Sequence, residues 1–222
     1  YGTIDSSFQS PLLDVYFGSV RDIIPLQDGR ILITGQFEYD CGLNSPCLSS
    51  AMILNSDGTI NKDITEITQN LIYDSHLLAD GKILIAGSVY NQSGISNRAI
   101  TRINNDGTLD TSFESYPHTG LSTFGDSDVR DIEIQNDGKI ILVGDFNFYN
   151  GTSVENAVRL FSDGTLDTSF NAPEFNDEIY SLSVLADDSM YVGGLFDEID
   201  NNTQRFLAKL NNDGTLDTTF QP

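Results

Sequence analysis

The chain has 222 residues, of which 33 are acidic and 11 are basic, so its formal net charge is −22 at neutral pH. A surface this acidic repels phosphate groups, which excludes nucleic acid and anionic membrane surfaces as expected partners. The hydrophobic fraction of 39% and the aromatic fraction of 10% exclude a disordered acidic tail, and the 19 glycines indicate a globular protein rich in turns.

The beginning of the chain predicts that it is part of a longer protein. Tyr1 is not preceded by an initiator Met, and the residues that follow lack a signal-peptide pattern. No apolar run approaches the roughly 18 residues that a membrane helix needs, so we expect no membrane insertion. Residues 2–8 resemble the end of a motif that recurs further along, which indicates that another repeat comes before them.

Two motifs recur in register along the chain. The string Asp-Gly-Thr-Leu-Asp-Thr-Ser-Phe begins at Asp106 and again at Asp163, a near copy begins at Asp213, and a weaker one covers 57–64. A second Asp-Gly motif precedes each of them, with Asp188 in place of Gly in the fourth. In every repeat, a further glycine lies six residues after the second position of this Asp-Gly motif. The glycines that mark the register are Gly58, Gly107, Gly164 and Gly214 for the first motif and Gly35, Gly87, Gly144 and Gly194 for the further position.

Each repeat is predicted to contain the same strands in the same order. Alternation of apolar and polar residues over 129–135 predicts a half-buried first strand. An Asp-Gly turn and a nearly continuous apolar second strand follow, as expected where both faces of a strand are covered. A polar loop, a third strand such as 157–161, a second Asp-Gly turn and a short fourth strand complete the repeat. The second strands are Ile31–Thr34, Ile83–Ala86, Ile140–Val143 and Met190–Gly193.

These elements predict an all-β protein with the fold of a β-propeller whose blades have about 50 residues. A parallel β-solenoid is the alternative, but its coils usually repeat over about 20 to 30 residues. The prediction comprises four full blades and the tail of a preceding one, in a single domain that covers the whole chain. The four repeats are 9–64, 65–113, 114–170 and 171–220, and the preceding tail is 1–8.

The two motifs in four phased copies resemble the delta-60 repeat family of bacterial secreted proteins and phage virion proteins. The resemblance implies a β-propeller and a cell-surface or virion setting, and it carries no established catalytic residues. Asn61 and Ile64 replace the usual Asp and Phe in the first repeat, which predicts an irregular outer edge there. Asp188 replaces Gly in the fourth repeat, which predicts an irregular turn.

Most charged residues recur at fixed positions, and a residue needed once per blade is expected to support the blade. Ten of the eleven basic residues occupy such positions, and only Lys62 does not. We therefore predict structural roles and no catalytic residue among them. The predicted structural residues are the four glycines of the first motif together with Asp110, Asp167, Asp217, Arg102, Arg159 and Lys209.

A glycoside hydrolase is the alternative function, because some propellers host such enzymes and the chain is rich in carboxylates. It requires two carboxylates about 5 to 10 Å apart. A partly buried pair would favour it, whereas scattered carboxylates would favour a noncatalytic protein. No motif selects a pair, and the chain has no Trp to stack on sugars. His76 and His118 lack partners at zinc-ligand spacing. The candidate carboxylates are Glu38, Asp40, Glu66, Glu114, Glu174 and Glu198.

Two further features bear on ligands and location. Cys41 and Cys47 lie in a polar turn sequence, which predicts a disulfide and an extracellular, oxidising location. The alternative is two free thiols in a cytosolic protein. Asp126, Asp128 and Asp131 offer oxygen ligands for calcium but lack the glycine and glutamate of an EF-hand loop. We therefore expect no cofactor, with calcium as the alternative.

Two segments break the pattern of the repeats, namely 36–50 and 114–128. Because variable loops on a rigid scaffold are where binding concentrates, the second is the predicted contact segment. Covering the end of a blade is the alternative role for its apolar residues. The predicted contact residues are Tyr116, His118, Leu121 and Phe124.

The sequence thus predicts a noncatalytic scaffold or binding module of an extracellular surface protein or phage tail or fibre protein. Its partner would be a protein or glycan on a cell or virion surface, and association of several copies is compatible with these features. The alternative is an extracellular carbohydrate-active enzyme with a carboxylate pair in a central cleft.

Overall fold

The computed structural model describes residues 3, 5–11, 18–42, 47–64, 71–89, 99–113 and 127–221. These residues form seventeen β-strands and no helix, so the prediction of an all-β protein is confirmed. The strands are β1 (Ser19–Pro25), β2 (Ile31–Tyr39), β3 (Cys47–Leu54), β4 (Ile60–Asp63), β5 (Ile72–Leu77), β6 (Ile83–Val89), β7 (Ile100–Ile103), β8 (Ser127–Ile134), β9 (Ile140–Asp145), β10 (Phe148–Tyr149), β11 (Thr152–Ser153), β12 (Ala157–Leu160), β13 (Ile179–Val184), β14 (Met190–Gly194), β15 (Glu198–Ile199), β16 (Asn202–Thr203) and β17 (Leu207–Leu210).

The first repeat forms an antiparallel sheet in the order β1-β2-β3-β4. Residues 32–35 of the second strand are buried, because this strand has a neighbour on each side and packing on both faces. The outer edge has one register shift, between Ile53 and Leu54. The predicted irregularity is therefore limited to this point, and in the described part of the chain β4 is the only fourth strand that a repeat forms.

The other repeats each contain three antiparallel strands, which are β5-β6-β7, β8-β9-β12 and β13-β14-β17. Two residue pairs at the end of β6 also join it to β8. The prediction of a fourth strand in these repeats is wrong. Where that strand was expected, the structure has only isolated β-bridges, such as the one between Leu160 and Leu166. The backbone turns directly afterwards: Phe170 N donates to Asp167 O, and the Ser169 hydroxyl donates to the Asp167 carboxylate. The turn therefore uses the Phe170 N–H and the Asp167 carbonyl, which a longer strand would need for pairing with its neighbour.

The turn of the fourth repeat is regular, so the prediction of an irregular turn at Asp188 is wrong. Asp188 adopts φ 63°, the left-handed conformation that Gly138 has at the same position with φ 82°. Both turns are closed by the same pattern of backbone hydrogen bonds. The Asp188 carboxylate also accepts a hydrogen bond of 2.8 Å from Asn136 N in the preceding repeat. Aspartate is among the residues that tolerate this conformation, and here its side chain adds a contact that glycine lacks.

The strands group into two compact units, Tyr1–Ile85 with Arg102–Asp110, and Ala86–Thr101 with Thr111–Pro222. Each unit has its own apolar core, to which successive repeats contribute. The core of the first contains Ile24, Leu26, Leu32, Ala51, Ile53, Ile64, Ile72, Ile83, Ile85 and Ile103. The core of the second contains Ile141, Val143, Ala157, Phe175, Ile179, Leu182, Met190, Val192, Phe196, Ile199, Ala208 and Leu210. Within the described ranges, no helix suited to crossing a membrane occurs.

Candidate functional site

The charged residues that recur between repeats form ion pairs. Arg102 Nε lies 2.7 Å from Asp110 Oδ2, and in the third repeat Arg159 Nε lies 2.8 Å from Asp167 Oδ2. Both arginine pairs are buried. In the fourth repeat, Lys209 Nζ lies 3.2 Å from Asp217 Oδ2, and this pair is more exposed. Each pair joins the third strand of a repeat to the turn that follows it.

Asp167 illustrates the electrostatics of these pairs. Burial opposes ionisation of this carboxyl, but hydrogen bonds from Ser169 and the nearby Arg159 guanidinium outweigh it, so the pKa of Asp167 lies below its usual value. Lys139 adds a second cation at 3.7 Å. In the second repeat, Lys82 occupies the same place beside Asp110, at 2.8 Å. The carboxylates of Asp110 and Asp167 are therefore used in ion pairs within their own repeats.

The glycines of the first motif are needed for close packing between repeats. Gly107 and Gly214 have φ of 73° and 91°. A Cβ on Gly107 would lie 2.9 Å from side-chain atoms of Ile53 and Ile64, and one on Gly214 would lie 2.8 Å from the Phe170 ring. The last apolar residue of one repeat thus packs on the turn glycine of the next. Gly58 and Gly164 have the same left-handed conformation in their turns, with φ of 88° and 91°.

The first strands carry a β-bulge at one repeated position. The pairing register shifts between Val20 and Asp22 in β1, between Val129 and Asp131 in β8, and between Ile179 and Ser181 in β13. The extra residues are Arg21, Arg130 and Tyr180. The glycines opposite are Gly35, Gly144 and Gly194. They leave room for the bulge, because a Cβ on any of them would collide with a carbonyl oxygen at or just before the start of the bulged strand. Bulges turn side chains in new directions and are common beside functional sites.

The bulged position places arginine against tyrosine from the next repeat. The Arg21 guanidinium lies 5.1 Å from the centre of the Tyr73 ring, and the Arg130 guanidinium lies 5.5 Å from that of Tyr180. Such cation–π contacts are favourable at this distance. All four residues stand eight positions before the Gly or Asp of the next turn. Arg21 and Arg130 are two of the basic residues that recur at fixed positions in the sequence. The tyrosines were not predicted, although this shared spacing would have identified them.

Carboxylates surround the second of these arginines. Arg130 Nη2 lies 2.8 Å from Asp128 Oδ2 and 3.1 Å from Glu178 Oε2. Tyr180 Oη donates a 2.7 Å hydrogen bond to Glu178, which raises the pKa of the phenol. The pKa of Asp145 is raised as well, first by burial of its carboxyl and then by the negative charges of Glu178 and Asp128. We call Asp128, Arg130, Asp145, Glu178 and Tyr180 the Arg130 cluster.

Replacing Asp145 by Asn is expected to stabilise the protein at pH 7. A folded-state pKa above the unfolded value means that stability is full at low pH and decreases as pH rises through that pKa. The Asp145 residue as a whole is exposed, although its carboxyl is partly covered, so water still screens the charge and the expected gain is small, about 0.5 kcal/mol or about 1 to 2 °C. Thermal melts at pH 7 and about pH 3 would measure it, with no gain expected at the lower pH.

Glu155→Gln is the control for this change, because it removes one negative charge from an exposed position of the same unit. An equal gain for Glu155→Gln would contradict the explanation, since it would trace the effect to net charge and not to the crowding of Asp145.

The predicted calcium and contact residues lie largely outside the described part of the chain. These are Tyr116, His118, Leu121, Phe124 and Asp126, and the candidate carboxylates Glu66 and Glu114 also lie there. Asp128 is paired with Arg130, and Asp131 Oδ2 accepts a 2.7 Å hydrogen bond from Leu182 N. Among the described residues, no group of three or more His, Cys, Asp or Glu side chains is arranged to hold a metal ion.

The remaining predicted residues are spread over separate elements. Glu38 lies in β2, and Asp40 follows it and accepts a 2.8 Å hydrogen bond from Gly42 N. Glu174 precedes β13, and Glu198 lies in β15. Cys41 and Cys47 are joined by a disulfide, with their Cα atoms 5.8 Å apart. The extracellular location that the disulfide indicates stays a prediction.

Comparison with known proteins agrees with this architecture. Three segments, residues 78–113, 135–170 and 185–220, match the beta-propeller domain of unknown function DUF5122. They lie in the second, third and fourth repeats. A streptogramin B lyase structure has a TM-score of 0.52 and 13% sequence identity, and the alignment covers 94% of this chain and 57% of that one. The chain therefore spans little more than half the length of that structure.

A second solved structure, of a protein of unknown function from Bacteroides caccae, has a TM-score of 0.33 and 12% identity over 91% of this chain and 81% of that one. No curated protein matches the sequence. At 13% identity, the similarity to the lyase structure concerns the fold alone. Together with the antiparallel sheets of the repeats and the matched segments, it identifies the fold as a β-propeller, as the sequence predicted.

Proposed function

We propose that this chain is a noncatalytic β-propeller scaffold or binding module of an extracellular surface protein or a phage virion protein, and that it contacts a protein or glycan. The observation that carries the proposal is the pairing of the repeated charges. Arg102 with Asp110, and Arg159 with Asp167, are buried inside the sheets, so the carboxylates that recur in the sequence are used for structure.

Three further features support the proposal. The disulfide between Cys41 and Cys47 fits an oxidising location. The resemblance of the two motifs to the delta-60 repeat family favours a secreted or virion protein. Tyr180 is exposed, and it stands on a bulge beside polar groups, an arrangement that suits contact with a sugar ring or a protein side chain.

A glycoside hydrolase is the second candidate, and the Arg130 cluster is the observation that favours it. Asp128 and Glu178 bind the same Arg130 nitrogen, so these two oxygens lie within about 6 Å of each other, close to the spacing of a retaining enzyme. The arginine between them opposes this role, because it neutralises both carboxylates and occupies the space that a sugar would need.

Two assays on the 222-residue chain separate these candidates. A glycan microarray probed with the fluorescently labelled chain would measure binding, and a reducing-end assay on the same glycans and on bacterial polysaccharides would measure cleavage. We expect retention on a subset of glycans without new reducing ends. Tyr180→Ala should weaken this retention, whereas Phe161→Ala, an exposed aromatic control in the same unit, should not.

Release of reducing ends that disappears in Glu178→Gln would refute the noncatalytic function. Binding that Tyr180→Ala leaves unchanged would move the contact surface away from the Arg130 cluster, and the predicted segment 114–128 would be tested next.

A further inference from the structure

The sequence contains a single Asn-Gly pair, Asn150-Gly151, and it forms the turn of the small hairpin between β10 and β11. Tyr149 pairs with Thr152 on either side, so the loop has two residues. Asn150 and Gly151 have φ of 48° and 77°, the left-handed conformation that a type I′ turn requires at both central positions. Both residues are exposed, and a Cβ on Gly151 would meet nothing within 4 Å. Water therefore reaches the turn without obstruction.

An asparagine that precedes glycine can close a ring with its own backbone. The backbone nitrogen of the glycine attacks the side-chain carbonyl carbon of the asparagine, and the absence of a Cβ on glycine leaves room for this approach. The reaction has two structural requirements. The glycine N–H must not be held as a hydrogen-bond donor, and the attacked side chain must be able to turn toward it.

The Asp-Gly turns of the repeats meet neither requirement, although aspartate can close the same ring. In each turn the glycine N–H donates to the carbonyl three residues before it, as Gly164 does to Phe161 at 2.9 Å. The aspartate carboxylate accepts a hydrogen bond from the backbone N–H two residues later, as Asp163 does from Thr165 at 3.0 Å. The glycines held in this way are Gly29, Gly58, Gly81, Gly107, Gly138, Gly164 and Gly214.

The Asn150-Gly151 turn meets both requirements. Within the described ranges, no group accepts a hydrogen bond from the Gly151 N–H, and none binds the Asn150 side chain. Asn156 of the same repeat provides the contrast. Its φ of 56° is similar, but its Nδ2 donates to the Asp177 carbonyl oxygen at 3.0 Å, and the residue that follows it is Ala157, which has a Cβ. Only the first of these asparagines is therefore placed to react.

The fourth repeat shows that aspartate fits the same turn. In the hairpin between β15 and β16, Asp200 stands at the position of Asn150 and has the same φ of 48°. Its carboxylate accepts a 2.9 Å hydrogen bond from Glu174 N. Conversion of Asn150 to aspartate would thus give the third repeat the residue that the fourth already has.

We propose that Asn150 is a site of spontaneous deamidation, at which water converts the asparagine to aspartate and isoaspartate. Gly151 N bonds to the Asn150 side-chain carbonyl carbon, the bond from that carbon to the amide nitrogen breaks, and the Gly151 proton leaves with this nitrogen as ammonia. Water then opens the ring. Attack at the side-chain carbonyl gives aspartate, whereas attack at the backbone carbonyl gives isoaspartate. The sum consumes one water, releases one ammonia and involves no oxidant or reductant.

The two products differ in their effect on the hairpin. Aspartate restores the backbone and adds a negative charge. Isoaspartate adds a main-chain carbon to a loop whose two-residue length matches the pairing of β10 with β11. We therefore expect the isoaspartate form to open the tip of this hairpin, so that the modification changes the exposed surface of the third repeat.

Mass spectrometry of the aged protein tests the proposal. The folded 222-residue chain would be kept for weeks at neutral pH and physiological temperature in water enriched in heavy oxygen, and then digested. Trypsin cleavage after Lys139 and Arg159 places Asn147, Asn150 and Asn156 in one peptide. We expect loss of the amide with uptake of heavy oxygen at Asn150 at least about tenfold faster than at the other two. A carboxyl methyltransferase specific for isoaspartate should label part of the product.

Gly151→Asn is the matched control, because it copies the fourth repeat, where Asn201 occupies this position with φ 61°. It should slow the conversion of Asn150 at least about tenfold, and a thermal melt would establish that it is folded. If it is not folded, the comparison with Asn147 and Asn156 in the wild-type peptide decides alone. An unchanged Asn150, equal conversion of the three asparagines, or equal conversion in folded Gly151→Asn would overturn the proposal.

Discussion

Gly194→Ala is expected to lower the melting temperature by roughly 10 °C, whereas Gly193→Ala leaves it within about 2 °C of the wild type. A methyl group on Gly194 would collide with the carbonyl oxygen of Glu178 and lie 2.8 Å from Ile179 Cα. Both obstacles are backbone atoms, one in the residue before the bulged strand and one in its first residue, so they cannot move aside as a side chain could. The expected cost is about 3 kcal/mol of folding free energy, as for other forced overpacking.

Gly193 is a matched control because it precedes Gly194 in the same strand. The nearest atom to its added methyl would be the Phe206 carbonyl oxygen at 3.5 Å, an ordinary van der Waals distance. Neither glycine has the left-handed φ that would strain an alanine backbone. Differential scanning calorimetry of both variants would measure the difference. Equal melting temperatures would show that the bulge of β13 relaxes, and the explanation of the recurring glycine would then fail.

Asp167→Asn is expected to cost about 3 kcal/mol of folding free energy at pH 7, because it leaves the buried Arg159 guanidinium without its counter-charge. Arg159 would keep other acceptors, including the Asn212 carbonyl oxygen at 2.7 Å, and these limit the loss. Asp217→Asn changes the same position in the fourth repeat, where the partner is the more exposed Lys209. There water screens the pair, so we expect a clearly smaller cost than for Asp167→Asn.

Chemical denaturation at pH 7 and at about pH 3 would test the electrostatic origin of this loss. The folded-state pKa of Asp167 lies below its unfolded value, so its contribution is present above the unfolded pKa and is lost as pH falls through the folded one. The difference between wild type and Asp167→Asn should therefore decrease in acid. A cost equal to that of Asp217→Asn at pH 7 would contradict the role assigned to burial.

The sequence was sufficient to predict the strands that lie in the middle of the sheets. Residues 140–143 are apolar throughout, and they are buried because the strand is covered on both faces. The same regularity led to the prediction of a fourth strand in every repeat, whereas in the described part of the chain only the first repeat forms one. The short segment after Leu166 has the composition of a strand, but the Asp167 side chain caps a turn there, a local competition that apolar periodicity does not detect.

The Arg130 cluster was harder to predict, for a physical reason. Alternation along 129–135 assigns side chains to faces on the assumption of an unbroken register, and the bulge at Arg130 breaks it. Gly144 recurs visibly in the sequence, but the reason for a glycine there is the close approach of the Asp128 carbonyl oxygen from another strand. Asp128 and Glu178 lie close together because both bind Arg130, so repetition alone could not group these residues.

The stacking of arginine on tyrosine has a consequence for how the chain can be divided. Arginine occupies the bulged position in the first and third repeats and tyrosine in the second and fourth, so the interaction exists only when neighbours of both kinds are present. Repeat lengths alternate in the same way, with the turn glycines 56, 49, 57 and 50 residues apart. The smallest segment that keeps one of these contacts is thus a pair of repeats, the first with the second or the third with the fourth. Excision or recombination of segments in this architecture should conserve even numbers of them.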